Sequence, residues 1–282
     1  LHKRGYRKLT SKAPIEETLA AALIMLTPWN KDRILVDPFC GSGTFPIEAA
    51  MMAANMAPGM NRSFLSEDWK QIIPRKCWYE AMDEAQEMVD DTVSVDIQGY
   101  DLDPEVIKAA RANAELAGVA HMIHFQQRPV AELSHPKKYG FLITNPPYGE
   151  RIEDKKNLPA LYTQIGDRFK ALDSWSAFII TSYEDVENIY LKNGFIMNLN
   201  DFLSEKEKKA LKPYLVTKKN EADKVIGISL KDCKKYRTLF TGRTPITEEP
   251  VLYVITNATD EGKNYVKQLI HYLYSDELKQ TA

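Results

Sequence analysis

Short apolar runs alternate with longer segments of helical periodicity over the first 180 residues of the chain. The short runs end at glycine or polar residues and predict buried strands, whereas the longer segments predict amphipathic helices. The predicted strands are 34–36, 95–100, 122–125, 141–144 and 177–181, and the predicted helices are 13–27, 46–56, 80–89, 104–117 and 158–172. Strands and helices that alternate in this way form a mostly parallel sheet covered on both faces. We therefore expect a Rossmann-like α/β fold.

The pattern changes after residue 190. Asn193-Gly194 lies between two apolar runs and is a strong hairpin turn signal, so the sheet is expected to end in an antiparallel hairpin. Residues 203–223 predict a charged helical connector, 224–230 and 251–256 predict strands, and 262–279 predict a helix. We place a domain boundary near residue 203. The predicted parts are a linker and helix at 1–30, an α/β domain at 31–202 and a small α/β extension at 203–282.

Composition excludes several classes of protein without indicating a partner. Lysine and arginine number 37 against 39 acidic residues, the formal net charge is −2, and 44% of residues are hydrophobic, as in ordinary globular proteins. Cys40, Cys77 and Cys233 are too few and too scattered for a disulfide framework or a zinc cluster. No segment approaches the roughly 20 apolar residues of a membrane span. We expect a cytoplasmic protein without metal or membrane partner, and its Leu1 start suggests a fragment of a longer chain.

A glycine-rich turn follows the first predicted strand and opens a helix. This segment, Asp37-Pro-Phe-Cys-Gly-Ser-Gly-Thr44, is called the glycine turn below. Its glycines allow a ligand to approach the backbone at the carboxyl end of a parallel strand, where ligands bind in open α/β sheets. Pro46 occupies the position of the third glycine of the dinucleotide fingerprint, and the next strand-ending acid, Asp101, follows far later than the expected distance of about 20 residues. A nicotinamide cofactor is therefore disfavoured.

S-adenosylmethionine (SAM) fits this pattern better because it has no pyrophosphate. It offers an amino group, a carboxylate, a sulfonium and a ribose diol. Asp37 can accept from the amino group, and Asp101 can accept from both ribose hydroxyls, as carboxylates do for dinucleotide ribose. The alternative is a purely structural turn, with Asp103 as a helix cap before Pro104.

Asn145-Pro146-Pro147-Tyr148 follows the fourth predicted strand and suits an exocyclic amine of a nucleobase. The Asn145 side-chain carbonyl and the Pro146 backbone carbonyl can accept its two N–H groups and direct the nitrogen lone pair toward a sulfonium methyl. Two prolines stiffen this backbone, as positioning requires. The Tyr148 ring offers a face for an extruded base. The alternative is a proline-rich turn without chemistry.

Three segments in combination resemble the motifs of class I SAM-dependent methyltransferases: the glycine turn, Gly99-Tyr-Asp-Leu-Asp-Pro104 and Asn145-Pro-Pro-Tyr-Gly-Glu-Arg151. More narrowly, the chain resembles ribosomal-RNA guanine-N2 methyltransferases with an N-terminal THUMP domain, which are also described as N6-adenine-specific DNA methylases. Leu1-His-Lys-Arg-Gly-Tyr-Arg7 and Ala13-Pro-Ile-Glu-Glu-Thr-Leu-Ala-Ala-Ala22 resemble the segment that joins the RNA-binding module of this family to its catalytic domain. The resemblance covers residues 1 to about 190.

This resemblance implies transfer of a methyl group from SAM to guanine N2 of large-subunit ribosomal RNA, without a metal. It implies SAM binding by Thr18, Asp37, Phe39, Gly41, Gly43, Asp101 and Leu102, and target binding by Asn145, Pro146, Pro147 and Tyr148. An adenine-N6 DNA methyltransferase stays an alternative because the same motif suits that amine. A non-catalytic SAM- or RNA-binding scaffold is the other alternative. The last 80 residues or so do not match the family, and a longer basic stretch expected before the final hairpin is missing.

Two weaker signals leave alternatives open. Lys3, Arg4, Arg7 and Lys8 around Tyr6 form either a phosphate-binding strip or a solvated terminal segment. Cys40 is either a nucleophile for cytosine-C5 chemistry or a small buried residue, and we favour the second because position 148 is tyrosine rather than cysteine. The lysine-rich stretches at 206–219 and 231–237 are interpreted as solvated surface, and the five histidines show no metal-ligand spacing.

Overall fold

The computed structural model describes most of the chain, with several gaps. The described residues are 4–7, 15–60, 62–147, 156–172, 174–181, 183, 185, 186, 189, 203–218, 221–229, 251–253, 255–256 and 260–279. The predicted Asn193-Gly194 hairpin lies outside them. The chain divides into two compact units: residues 1–25 with 29–129, and residues 26–28 with 130–282. Within the described ranges, no helix is both long and apolar enough to cross a membrane.

Among its described residues, the first unit contains three parallel strands and four α-helices. They are α1 Glu17–Met25, β1 Leu35–Asp37, α2 Thr44–Ala53, α3 Arg75–Glu87, β2 Ile97–Asp101, α4 Pro104–Ala117 and β3 Ile123–Gln127, with 3-10 turns at Leu65–Asp68 and Ala120–Met122. The strand order is β3-β2-β1, and Asp37 is in register with Gly99 of β2. Because all three strands run in one direction, the glycine turn and Asp101 leave the same edge of this part of the sheet.

Helix α4 has the bounds that its end residues predict. Asp103 caps it by accepting a hydrogen bond from the Glu105 amide at 2.9 Å, and Pro104 occupies its first turn. Gly118 ends the helix at a φ of 78°, in the left-handed region that favours glycine. Local capping chemistry therefore determines both ends of the helix that follows Asp101.

Two glycines allow the first unit to pack closely beneath the glycine turn. Gly43, at the start of α2, has a φ of 88°. A Cβ there would lie 3.0 Å from the Phe125 ring and 3.1 Å from the Ala110 Cβ, and a Cβ at Gly99 would lie 2.6 Å from the same ring. The Phe125 ring therefore occupies the space that side chains at these two positions would need.

Gly43→Ala is expected to lower the free energy of unfolding by about 3 kcal/mol, whereas Gly118→Ala should lower it by only about 1–2 kcal/mol. Both glycines have a left-handed backbone, so both substitutions introduce backbone strain. Only Gly43 is crowded, because the nearest atom to a Cβ at Gly118 is Met56 Cε at 3.9 Å. Urea unfolding of both variants measures the difference. Equal losses would contradict the role assigned to the Phe125 contact.

The described part of the second unit contains strands of two sheets and four α-helices. Its elements are β4 Phe141–Thr144, α5 Leu158–Lys170, β5 Ser176–Ile179, α6 Glu205–Leu211, β6 Leu215–Lys218, β7 Glu221–Ser229, β8 Val251–Tyr253, β9 Ile255–Thr256, α7 Asp260–Leu273 and α8 Ser275–Lys279, with 3-10 turns at Val130–Glu132 and Lys212–Tyr214. Strands β4 and β5 are parallel, and β9 pairs with β5 in the antiparallel direction. The parallel pairing in both units, followed by antiparallel strands, confirms the predicted Rossmann-like α/β class.

The end of the chain differs from the prediction in two places. The helical part of the predicted connector stops at Leu211, and Leu215-Val216-Thr217 enters β6, which pairs with β7 in a three-stranded antiparallel sheet. Pro213 lacks a backbone N–H and the β-branched residues after it favour a strand, so helix and strand divide this segment. The predicted strand 251–256 is also divided, because β8 pairs with β7 whereas β9 pairs with β5.

Leu203 and later residues form a buried apolar cluster, against which Leu26 also packs. It consists of Leu203, Leu211, Ile228, Leu269, Ile270, Leu273 and Tyr274. The Tyr274 hydroxyl donates to the Ser229 carbonyl, and its ring lies 5.0 Å from that of Tyr214. Helices α6, α7 and α8 thus pack with β7 around a common core, which the sequence pattern alone did not show.

Candidate cofactor and target-amine sites

The glycine turn is held to the end of β2 by backbone hydrogen bonds. The Cys40 amide donates to the Tyr100 carbonyl at 2.8 Å, and the Gly43 amide donates to the Cys40 carbonyl at 2.8 Å. Gly41 and Gly43 both adopt positive φ, 52° and 88°. These conformations favour glycine and bring the chain back from β1 into α2 within a few residues.

Asp101 joins the glycine turn to the loop that follows β2. Its Oδ2 accepts from the Gly41 amide at 3.1 Å, and its Oδ1 accepts from the Asp103 amide at 3.1 Å. Burial raises the pKa of Asp101, and the backbone donors act in the opposite direction. The carboxylate therefore has a defined orientation, with further lone pairs on both oxygens beyond those that the two amides use.

Asp37 and its neighbours complete the predicted cofactor set in the first unit. Asp37 is 1% exposed, and its Oδ1 accepts from the Phe39 amide at 3.1 Å. Leu102 is 70% exposed, and its carbonyl accepts from the Gln127 side chain at 3.1 Å. Phe39 is half-buried. Asp37, Gly41 and Asp101 are thus brought together, and their assignment to a ligand stays a prediction.

Thr18 is predicted to bind the cofactor because of the family resemblance, and it lies outside the three short motifs. It is a half-buried residue of α1, and α1 packs against α2, the helix that the glycine turn opens. Its neighbour Glu17 is buried and accepts a hydrogen bond from Arg7 at 2.9 Å. The first unit therefore contains Thr18 together with the glycine turn and Asp101.

Asn113 supports the glycine turn, although it belongs to none of the sequence motifs. It is fully buried on α4, and its Nδ2 donates to the Ser42 carbonyl at 3.1 Å. A buried amide needs hydrogen-bond partners, and this one anchors a carbonyl inside the turn. Its sequence signal is a polar residue on the same helical face as Ile107, Ala110 and Ala114.

The Asn-Pro-Pro segment, residues 145–147, follows β4 in the second unit. Asn145 is half-buried, Pro146 is buried and Pro147 is exposed. The Tyr162 hydroxyl donates to the Pro147 carbonyl at 3.2 Å. Tyr148, the predicted stacking residue, lies outside the described residues, so its role and those of Asn145, Pro146 and Pro147 stay predictions.

Cys40 is buried, and the pKa of its thiol is raised. Burial, followed by the negative charges of Asp37 and Asp101, raises the pKa of the thiol well above its usual range. A nucleophilic cysteine needs the opposite environment, one that stabilises the thiolate. The structure therefore supports the interpretation of Cys40 as a packing residue.

Cys40 is expected to resist alkylation in the folded protein, while Cys77 reacts readily. Cys77 is exposed on α3, whereas Cys40 is covered and held in its thiol form. Mass spectrometry after iodoacetamide treatment at pH 8 distinguishes the two, and urea should equalise them. Rapid labelling of native Cys40 would restore the nucleophile hypothesis.

The described residues of the basic strip near the N-terminus form hydrogen bonds and ion pairs with buried acidic residues. Neither prediction for them, a phosphate-binding strip or a solvated segment, is correct. Tyr6 is 1% exposed and donates to Glu48 Oε1 at 2.9 Å, and Arg4 Nε lies 3.5 Å from the same oxygen. Arg7 pairs with Glu17 at 2.9 Å. Because buried carboxylates take up these positive charges, Arg4 and Arg7 form neither a phosphate-binding strip nor a solvated segment. Lys3 and Lys8 lie outside the described residues.

Two of the described histidines contact side chains of other segments. His271 Nε2 lies 2.6 Å from Glu207 Oε1, and the His135 ring packs against Trp175. Among the residues that the structure places, no group of three or more His, Cys, Asp or Glu side chains is arranged to hold a metal ion.

Comparison with known proteins identifies the family that this fold and these motifs define. Residues 4–202 match the family described as "RMKL-like, methyltransferase domain". The chain belongs to this family, and the fold is that of a class I methyltransferase.

Three relatives illustrate the range of the family. "Putative RNA methyltransferase YpsC" from Bacillus subtilis is 44% identical over 205 residues, which are 70% of this chain and 53% of that protein. "Ribosomal RNA large subunit methyltransferase K/L" from Shewanella pealeana is 43% identical over 207 residues, 71% of this chain and 29% of that protein. The solved structure of "SMU.472, a putative methyltransferase complexed with SAH" (S-adenosylhomocysteine) is 32% identical. The match covers 92% of this chain and 56% of the SMU.472 chain, with a TM-score of 0.68. The chain thus spans about half or less of the curated relatives' length.

Proposed function

We propose that this chain is the catalytic part of a SAM-dependent RNA methyltransferase that modifies guanine N2 in large-subunit ribosomal RNA. The observation that carries the proposal is the Asp101 carboxylate, held by the Gly41 and Asp103 amides at the glycine turn of a class I methyltransferase fold. The names of the relatives YpsC and methyltransferase K/L support RNA as the substrate. Because the proposed substrate is ribosomal RNA, we also propose a cytoplasmic location.

The first unit fits SAM as the cofactor. Both Asp101 oxygens accept from backbone amides, and the lone pairs that remain can accept from the ribose hydroxyls. Asp37 supplies a second carboxylate for the amino group, and the turn carries no side chain at Gly41 or Gly43. SAH bound to SMU.472 is the product that SAM becomes after losing its methyl group, which supports this choice of cofactor.

Bound SAM supplies an electrophilic methyl group on a sulfonium. In the proposed reaction the guanine N2 lone pair forms the new N–C bond as the C–S bond breaks, which leaves SAH and a methylated, positively charged amine. That amine then releases a proton to water. The chain's own contribution is orientation: Asn145 Oδ1 and the Pro146 carbonyl accept the two N–H groups, and the prolines keep these acceptors in place.

We also propose the domain limits and site residues that follow from this function. Residues 31–202 are assigned as the catalytic domain, 1–30 as the preceding linker and helix, and 203–282 as an extension. The family match that ends at residue 202 and the apolar cluster formed by Leu203 and later residues support these limits. The proposed SAM residues are Thr18, Asp37, Phe39, Gly41, Gly43, Asp101 and Leu102, and the proposed target residues are Asn145, Pro146, Pro147 and Tyr148.

The substrate class can be tested with radiolabelled SAM. Unmodified large-subunit ribosomal RNA and duplex DNA are offered separately, and the products are digested to nucleosides for mass spectrometry. We expect N2-methylguanosine from the RNA. N6-methyladenine from DNA alone would instead favour the DNA methyltransferase, and SAM binding by calorimetry without product on either nucleic acid would favour the non-catalytic scaffold.

A further inference from the structure

Hydrogen bonds to carbonyl groups anchor the chain just before the Asn-Pro-Pro segment and at its end. Before it, the Thr144 carbonyl accepts from the Ile180 amide at 3.0 Å, which continues the pairing of β4 with β5. At its end, the Pro147 carbonyl accepts from the Tyr162 hydroxyl at 3.2 Å. Asn145 and Pro146, the residues proposed to hold the amine, lie between these two anchors.

Proline chemistry makes the second anchor important. Pro146 and Pro147 have no backbone N–H, so a neighbouring group can hold this part of the chain only through its carbonyls. The proposed reaction requires the Pro146 carbonyl for the target amine. Of the two proline carbonyls, that of Pro147 therefore remains for fixing the segment, and a side chain of α5 binds it.

Tyr162 is itself held in one orientation. It is fully buried on α5, its hydroxyl lies 2.5 Å from Thr181 Oγ1, and its ring packs 5.0 Å from that of Tyr183. Thr181 follows β5 and accepts from the Tyr183 amide at 3.1 Å. Burial raises the pKa of Tyr162, so its hydroxyl stays protonated and can donate across the physiological pH range.

These contacts form a chain with one direction. The Tyr183 amide can only donate and the Pro147 carbonyl can only accept. The Tyr162 hydroxyl has one proton, which it donates to the Pro147 carbonyl. In the hydrogen bond between the two hydroxyls, Thr181 is therefore the donor and Tyr162 the acceptor. Hydrogen bonds aligned in this way strengthen one another, and the ordered chain links the end of β5 to the Asn-Pro-Pro segment.

We propose that Tyr162 and Thr181 are positioning residues that hold the Asn-Pro-Pro segment in the geometry needed for methyl transfer. This inference rests on the proposed function. Neither residue contacts the reacting atoms in this mechanism. They act through the Pro147 carbonyl, which keeps the Asn145 and Pro146 acceptors aligned.

Two matched pairs of variants test the proposal. Tyr162→Phe removes the hydroxyl but keeps the ring, and Tyr183→Phe removes the hydroxyl of the ring packed against it, which takes no part in the chain. Thr181→Val removes the second hydroxyl at nearly constant shape, and Thr181→Ser retains it. Each variant is first checked for an unchanged thermal unfolding temperature and SAM affinity.

Tyr162→Phe is expected to lower kcat about 10- to 100-fold, since small misplacements of reacting groups have effects of that size. The KM for the nucleic acid and the Kd for SAM should stay within about two-fold, because the hydroxyl touches neither ligand. Thr181→Val should lower kcat in the same direction, whereas Thr181→Ser and Tyr183→Phe should resemble the wild type. A drop in kcat that Tyr183→Phe reproduces, or that comes with lost SAM binding, would overturn the proposal.

The same variants are compared by hydrogen exchange in peptides covering residues 142–150. We expect faster exchange in Tyr162→Phe and Thr181→Val than in Tyr183→Phe, and equal exchange would overturn the positioning role. This measurement needs no substrate. If the wild-type enzyme methylates only DNA, or no nucleic acid, the proposed function is refuted. The hydrogen-exchange comparison would still test whether Tyr162 holds the Asn-Pro-Pro segment.

Discussion

Asn145→Ala is expected to reduce methyl transfer by at least about 1,000-fold while the Kd for SAM changes by less than about two-fold. The side-chain carbonyl of Asn145 is proposed to accept one of the two amine N–H groups, which directs the nitrogen lone pair. Without it the amine can still enter, but its lone pair remains conjugated with the base and is not directed toward the sulfonium methyl. Single-turnover transfer and calorimetry on the same preparation measure the two quantities.

Asn157→Ala is a suitable control for this prediction. Asn157 is exposed, lies just before α5 in the same unit and makes no side-chain capping hydrogen bond. It should keep wild-type transfer. Joint loss of SAM binding and transfer in Asn145→Ala would indicate a structural role for Asn145, and retained transfer would remove Asn145 from the mechanism.

Asp101→Asn is expected to weaken SAM binding by roughly 30- to 1,000-fold, which corresponds to about 2–4 kcal/mol for hydrogen bonds to a charged group. Both carboxylate oxygens already accept backbone amides, from Gly41 and from Asp103. An asparagine has a single acceptor oxygen, so its NH2 group must face one of these amides. The ribose hydroxyls would also lose one of their two acceptors. Calorimetric titration with SAM measures the loss.

Asp103→Asn separates ligand binding from helix capping. Asp103 caps α4 through the Glu105 amide, and asparagine caps helices about as well as aspartate. This variant should bind SAM nearly as tightly as the wild type. If it loses as much affinity as Asp101→Asn, the effect belongs to the loop and the start of α4 rather than to a ribose contact.

Local chemistry made parts of this protein predictable. Both ends of α4 can be predicted from Asp103, Pro104 and Gly118, because helix caps act over a few neighbouring residues. The sequence likewise predicts strand β4 at its observed limits, 141–144, because Gly140 and Asn145-Pro146 bound a short apolar run. Single-residue patterns failed at residues 215–218 and 251–256, where pairing with distant strands decides the structure.

Contacts between distant residues determined what the supporting residues do. Arg4 and Arg7 look like a basic surface in sequence but are paired with buried acids of α2 and α1. Asn113 and Tyr162 belong to no motif, yet one binds a carbonyl of the glycine turn and the other binds the Pro147 carbonyl. Such partners lie 71 and 15 residues away along the chain, beyond the reach of periodicity or spacing.

The sequence by itself determined the α/β class, the order of its strands and helices through β5, and the residues proposed to carry chemistry, because these depend on hydrophobic periodicity and short motifs. Only the tertiary structure decided which groups hold those residues in place, how the C-terminal strands divide between two sheets, and that Arg4, Tyr6 and Arg7 are internal. The physical reason is that burial and hydrogen bonding between distant segments form only when the chain folds, whereas caps, turns and apolar stripes are properties of neighbouring residues.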